Sequence, residues 1–177
     1  MSTEVASRVD ISKALLIGGW MNEKELTWLA TQVQSCKRIV EFGSHHGRST
    51  RALADNAPPD AKIWAVDPWG GKYLTDDGLE VGDINTYVMS YFLRNLDDHI
   101  QSGKVIPVRD FSYNFWLPEV VDMIFLDGDH RYNNVKRDID ISLNLISLHG
   151  LLCGHDYGHK LWPGVKQAVD EMLDSVS

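Results

Sequence analysis

Two segments of this 177-residue chain crowd together side chains that could carry chemistry. One reads Phe125-Leu126-Asp127-Gly128-Asp129-His130-Arg131-Tyr132, the other Gly154-His155-Asp156-Tyr157-Gly158-His159, and each follows an apolar run. Carboxylates from two strand ends, with an imidazole at hand, suit a hard divalent ion such as Mg2+, which takes oxygen ligands and retains several waters. Histidine titrates in the range needed to take a proton from a hydroxyl. The plainer alternative is that Asp127 and Asp129 cap a loop and the helix behind it while the histidines are solvated. No cysteine stands near the ligand spacing of a Zn2+ site.

A third segment, Glu41-Phe42-Gly43-Ser44-His45-His46-Gly47-Arg48-Ser49-Thr50, places glycines where a strand turns into a helix. Such glycines permit a tight turn and close approach of a ligand, although a plain strand-to-helix turn would use them equally. Asp67 lies 24 positions beyond Gly43, at the end of the next apolar run, where a carboxylate can accept both hydroxyls of a ribose. Arg109-Asp110-Phe111-Ser112 ends a further run and offers a polar edge and an aromatic face suited to adenine.

These segments need elements to position them. Short apolar runs at Arg38 to Phe42, Ile63 to Val66, Val105 to Val108, Val121 to Leu126 and Leu151 to Cys153 read as strands buried on both faces of a parallel sheet. Between them, Asn22 and Glu25 form a capping-box pair ahead of Leu26, Leu29, Ala30 and Val33, and helices are expected over Ser49 to Asp55, Thr86 to His99 and Tyr132 to Leu148. Gly150 would end the helix before it, and Pro163 opens a last one carrying Val165, Val169 and Met172. Strand-helix alternation predicts an α/β, Rossmann-like, doubly wound and mostly parallel sheet in three layers, with one domain over residues 1–177. Ligands of such sheets bind where strand order reverses. The Gly-rich polar stretch at 70–83 has the length of a lid over an acceptor.

Composition narrows the partners. A net charge of -8 and a pI near 5.2, with no basic stripe, exclude a nucleic-acid partner, whose binding draws on clustered Lys and Arg. No signal peptide and no membrane-length apolar run is visible, and two cysteines, Cys36 and Cys153, in apolar stretches read as small hydrophobes. A protein of the reducing cytoplasm with no membrane partner is the expectation.

The motifs EFGSHHGRST, WAVDPW, FLRNLDDH, FLDGDHRYNNVKRDID, and GHDY followed by PGVKQAVDEM resemble those of class I S-adenosylmethionine-dependent methyltransferases, from about Gly19 to Leu173. The branch they resemble acts on small molecules and sugars and carries Glu-x-Gly-Ser-x-x-Gly-x-Ser-Thr after its first strand. The resemblance implies that Glu41 meets the methionine amino group and that Gly43 and Ser44 line the methionine, with Gly47 and Ser49 completing the motif. It likewise places Asp67 on the ribose, Trp69 beside it, and Asp110 and Phe111 around adenine. Asp127 and Asp156 would hold Mg2+, His130 would act as base, and a small-molecule hydroxyl would receive the methyl group. NAD-dependent enzymes share the sheet but carry G-x-G-x-x-G, whereas here three residues separate Gly43 from Gly47 and two histidines would crowd a pyrophosphate. Family members finish with an antiparallel hairpin of two more strands, which this sequence lacks before Ser177. An uncovered fifth-strand edge would then be paired across a homodimer, or the chain is a shortened form of the fold. A metal-independent methyltransferase and a non-catalytic S-adenosylmethionine-binding module are the competing functions.

Overall fold

The computed structural model describes residues 8–70, 73–74, 80–81 and 86–173. The apolar runs form β1 (Arg38–Phe42) and β2 (Lys62–Val66); a small antiparallel ribbon of β3 (Tyr73–Leu74) and β4 (Glu80–Val81) follows, and then β5 (Val105–Val108), β6 (Val121–Leu126) and β7 (Ile146–Gly154). The five long strands pair in parallel in the order β5-β2-β1-β6-β7. From β1 the chain steps outward to β2 and β5, then returns to β6 on the other side, so strand order reverses between β1 and β6. Most of the stretch expected to be a lid, 70–83, lies outside the described residues.

Alternate residues along each strand enter different cores, as a strand's two-residue period requires. Ile39, Ile63, Met123 and Phe125 pack with Leu26, Leu29, Leu53, Phe92 and Leu96 from α2 (Glu23–Gln32), α3 (Arg48–Asn56), α4 (Thr86–Asn95) and the turn after it. Val40, Phe42, Val66 and Ile124 face the opposite way, toward Leu145 of α6 (Tyr132–Leu145). Val135 and Ile139 of α6 meet Val165 and Ala168 of α7 (Pro163–Leu173). Helices thus cover both faces of the sheet, giving the three-layer doubly wound fold read from the sequence.

The capping box forms: Asn22 Oδ1 accepts from the N–H groups of Lys24 and Glu25, and Glu25 Oε2 accepts from Asn22 N at 2.7 Å. A cap contributes about 1 kcal/mol, whereas burying one leucine contributes about 1.5–3 kcal/mol. The cap therefore sets where α2 begins, and Leu26 and Leu29 hold it in place.

Two helices depart from expectation. The span Thr86 to His99 is broken at Leu96 into α4 and α5 (Asp97–Gln101). Arg51 Nη1 donates to the Asn95 carbonyl at 3.2 Å and Asn95 Nδ2 donates to the His46 carbonyl at 2.9 Å, which draws the helix end toward α3. Likewise α6 stops at Leu145 and β7 starts at Ile146, five residues earlier than the run Leu151 to Cys153 implied. The register jumps from Val121↔Ile146 to Met123↔Leu151, so Gly150 sits in an irregularity of β7 and does not end a helix. A side chain there would meet Ile146 Cδ1 at 2.7 Å. Both cysteines are free, and burial lifts the Cys153 thiol to about 12, in keeping with an inert packing role. Among the described residues no helix is long and apolar enough to cross a membrane.

Arg51 ties these helices together. Its buried guanidinium binds Asp55 through Nε at 2.8 Å and Asp98 through Nη1 and Nη2 at 2.7 and 2.9 Å. That bond holds the Asp98 carboxyl at about 2. Removing one partner of a buried ion pair costs about 3–5 kcal/mol, and because Asp98 is half exposed Arg51→Met should fall at the lower end of that range. Thermal denaturation should show a Tm reduced by about 6–12 °C, at about 2–4 °C per kcal/mol for a chain of this length.

Candidate active site

The turn after β1 is held in left-handed backbone by Gly43 (φ 91), His45 (φ 45) and Gly47 (φ 86). Gly43 is a matter of space as well as torsion, since a Cβ would lie 2.1 Å from the Asp127 carbonyl oxygen. The close approach this glycine permits is therefore to the end of β6. At Gly47 a Cβ would lie 2.3 Å from Leu96 Cδ2, which explains glycine at the start of α3.

Beneath the turn Glu41 is fully buried. Ser44 Oγ donates to its Oε2 at 2.6 Å and Thr50 Oγ1 donates to the same oxygen. Burial pushes the Glu41 carboxyl up, while the hydroxyls of Ser44, Ser49 and Thr50 oppose the shift. Its other oxygen, Oε1, is buried with no hydrogen-bond partner among the described residues. An orphaned buried carboxylate oxygen is costly unless a donor meets it.

Asp67 is already engaged. Its Oδ2 accepts from Ser44 N at 3.0 Å and His45 N at 2.8 Å, and its Oδ1 from Trp69 N at 2.6 Å. A carboxylate offers about four acceptor positions, so Asp67 clasps the first turn to the end of β2 and retains about one further acceptor position. Trp69 is a core residue: its ring packs 4.6 Å from Phe92 and its Nε1 donates to the His45 carbonyl at 2.8 Å. Asp110 Oδ1 accepts from Phe111 N and Asn114 Nδ2, and Phe111 stacks on Tyr113 at 5.1 Å.

Across the reversal point, the ends of β6 and β7 bring Asp127, His130 and Asp156 together, with one ligand atom from each lying within 4.8 Å of the others. His130 Nε2 stands 2.6 Å from Asp156 Oδ2, and Trp162 stacks on the His130 ring at 4.7 Å. Asp156 has left-handed backbone (φ 63). Asp129, by contrast, turns back to Arg131, accepting from its backbone N–H and its guanidinium, and His159 Nδ1 accepts from Leu161 N.

His155 and Glu25 enlarge the cluster beyond what the sequence suggested. His155 Nδ1 lies 3.1 Å from Asp156 Oδ2 and 3.7 Å from Asp127 Oδ1, and its Nε2 lies 3.5 Å from Glu25 Oε2. The signal for His155 was its place beside Asp156; Glu25 gave none beyond its capping role. Burial lowers His155, but Asp127, Asp156 and Glu25 outweigh it and raise the imidazole above its ordinary range. Burial raises Asp127 to about 7, with Glu41, Asp156 and Glu25 adding to it and His155 opposing. Burial also works on Asp156, yet His155 and His130 hold it below the usual carboxylate range.

Two cavities flank this cluster. One, of 230 Å³, lies between α6, α7 and the ends of β6 and β7; the other, of 250 Å³, is lined by Met21, Glu25, Trp28, Phe125 and His155 on the α2 side. Neither of the two reaches Glu41 or Asp67.

A protein-family model described as a methyltransferase domain matches residues 40–157, two thirds of the chain. The chain belongs to that methyltransferase domain family. The matched stretch runs from β1 to the turn after β7 and so includes Glu41, Asp67, Asp127, His130 and Asp156. Over 140 residues the domain is 23% identical to an uncharacterized protein of Acanthamoeba polyphaga mimivirus; the aligned part is 77% of this chain and 59% of the viral protein, so the chain spans about three fifths of that relative's length. Among solved structures it is similar to a SAM-dependent O-methyltransferase from Thermotoga maritima, with TM-score 0.67 and 14% identity over 91% of this chain and 55% of that one. An O-methyltransferase from Bacillus cereus in complex with SAH is similar at TM-score 0.66 and 15% identity, over 93% of this chain and 75% of that one. At these identities the likeness is one of fold, and it agrees with the class I methyltransferase resemblance carried by the motifs.

A raised carboxyl has a definite sign in the pH dependence of stability. Asp127 binds its proton more tightly when folded, so its contribution is complete below about pH 4 and is lost as pH rises through about 7. Asp127→Asn should therefore raise the Tm of the metal-free protein at pH 7.5 by a few degrees, at about 2–4 °C per kcal/mol, and leave it nearly unchanged at pH 4. A Tm difference independent of pH would refute the assignment.

Proposed function

We propose that this domain binds S-adenosylmethionine at the ends of β1, β2 and β5 and methylates a hydroxyl of a small molecule at Asp127, His130 and Asp156, with Mg2+ held there. The observation that carries the reading is the cluster of Asp127, His130 and Asp156 set against a buried Glu41 oxygen with no partner among the described residues, on either side of the strand reversal. Glu41 Oε1 suits the ammonium of a methionine moiety, and the remaining acceptor position of Asp67 suits a ribose hydroxyl. Phe111 and Asp110 offer adenine a ring face and an acceptor. The O-methyltransferase names of the Thermotoga maritima and Bacillus cereus proteins support oxygen as the acceptor atom.

The donor set also fits a divalent ion. Carboxylate oxygens suit a hard cation, and one ligand atom from each of Asp127, His130 and Asp156 lies within 4.8 Å of the others. Asp127 and Asp156 would be its protein ligands, and their neighbours Glu25 and Glu41 add negative charge that a dication would offset. Bound Mg2+ would orient the acceptor hydroxyl and lower its pKa. Bound S-adenosylmethionine supplies the methyl group in an in-line displacement: the acceptor oxygen forms the new O–C bond, the S–C bond breaks, and S-adenosylhomocysteine leaves as a neutral thioether. His130, with its proton on Nε2 directed at Asp156 Oδ2, keeps Nδ1 free to accept the acceptor's proton. That 2.6 Å pair favours a second reading as well, in which His130 and Asp156 work without a metal.

Isothermal titration with S-adenosylhomocysteine should give saturable binding that Glu41→Gln weakens about 10- to 100-fold, the value of a hydrogen bond to a charged group. No binding by folded wild-type protein would end the nucleotide reading. With an acceptor in hand, His130→Ala should lower kcat about 10²- to 10⁴-fold while leaving S-adenosylhomocysteine affinity unchanged. Turnover abolished by EDTA and restored by Mg2+ separates the metal-assisted reading from its rival.

A further inference from the structure

The cavity between α6, α7 and the sheet is unusual for an interior that is otherwise close-packed, where voids larger than a water molecule are few. Its walls are apolar: Leu126, Val135, Ile139, Leu152, Val165 and Val169. Polar groups gather at one end, where Asp127, His130, His155 and Tyr157 form the mouth at the tips of β6 and β7. Asp129 and Asp138 also line the cavity, the carboxylate of Asp138 lying 3.8 Å from where a Cβ on Gly128 would stand and held by the Ser112 hydroxyl.

Loose helix packing does not account for the gap. The two helices touch at their starts, where a Cβ on Gly164 would lie 2.8 Å from Tyr132 N. Glu171 of α7 binds both Tyr132 and Lys136 of α6, and Tyr157 Oη donates to Asp170 Oδ1 at 2.7 Å. A frame fixed at these points encloses the space between the helices and the sheet.

Volume and lining together select an occupant. A cavity of about 150 Å³ lined by aliphatic and aromatic side chains stays dry and takes up benzene, so 230 Å³ accommodates one substituted ring. A sugar carries hydroxyls all round its ring, so those turned away from the polar end would face aliphatic walls, which burial penalises. Only a ligand with one polar end matches a cavity that is polar at one end.

We infer that this cavity takes the body of a monocyclic phenol, with the ring among Leu126, Ile139, Leu152 and Val169 and the hydroxyl at the mouth beside Asp127 and His130. The inference rests on the methyl-transfer reading for its chemistry: the phenolic proton passes to His130 as the O–C bond forms and the S–C bond of the donor breaks. The binding geometry does not depend on that step.

The test is titration of the full chain with 4-ethylphenol and, separately, with methyl glucopyranoside, each with and without S-adenosylhomocysteine and Mg2+. The wild type should bind the phenol and not the glucoside. Val169→Phe, which fills the cavity, should weaken phenol binding at least 10-fold with unchanged S-adenosylhomocysteine affinity. Val169→Ala, which enlarges it, should shift preference toward 4-butylphenol and carries the test should the larger side chain prevent folding. Phenol binding that neither variant alters, or glucoside binding in its place, overturns the inference. If S-adenosylhomocysteine binds but the phenol does not, the cavity assignment fails alone. If the phenol binds in a Val169-dependent way without any binding of S-adenosylhomocysteine, the cavity assignment holds and the methyl-transfer reading fails.

Discussion

The whole site depends on how closely two strand ends approach. Where strand order reverses, Asp127 N donates to the Phe42 carbonyl at 2.8 Å, and the backbone at residue 43 stands so near the Asp127 carbonyl that only glycine fits. This contact places Glu41 directly under the first turn and Asp127 directly across from it. The proposed nucleotide half of the site and its proposed reactive half are thus joined through main chain. Everything else, from the clasp made by Asp67 to the cluster at the end of β7, is arranged around that junction.

Charge is the second organising influence. Glu25, Asp127 and Asp156 stand around the imidazole of His155, His130 flanks Asp156, and burial makes the charges of Asp127 and Asp156 more expensive to keep. The cluster answers with protonation: Asp127 holds its proton toward neutrality, and His155 is drawn toward its cationic form. Asp156, with His130 and His155 both against it, remains the settled anion. Opposed demands concentrated in this way mark the cleft as a candidate site for proton chemistry.

Much of this was legible in the sequence because it depends on local pattern. All five strands of the sheet were readable from short, mostly apolar runs, even though β1 carries Glu41, β6 carries Asp122 and β7 is a partly exposed edge strand. The start of α2 was readable because Asn22 and Glu25 satisfy each other across one turn. Features set by distant residues were not. The break at Leu96 follows from Arg51 and His46 reaching Asn95 from another part of the chain, and the early start of β7 follows from its register on β6. Trp69 was expected beside a ribose, and its packing on Phe92 and its bond to the His45 carbonyl, both set by distant residues, bury its ring in the core. His155 gained weight from Asp127 and Asp156 beside it at the strand ends and from Glu25, which α2 brings to its far side.

Asp67 has a kinetic consequence. Three backbone N–H groups already converge on its carboxylate, and Trp69 pins the His45 carbonyl from behind, so the first turn is fixed before anything enters it. A ligand arriving at such a surface finds its partners pre-organised and has little chain to order on binding. Association should then be limited by encounter and orientation, without a slow rearrangement of the turn, and differences in affinity among related ligands should reside in how fast they leave.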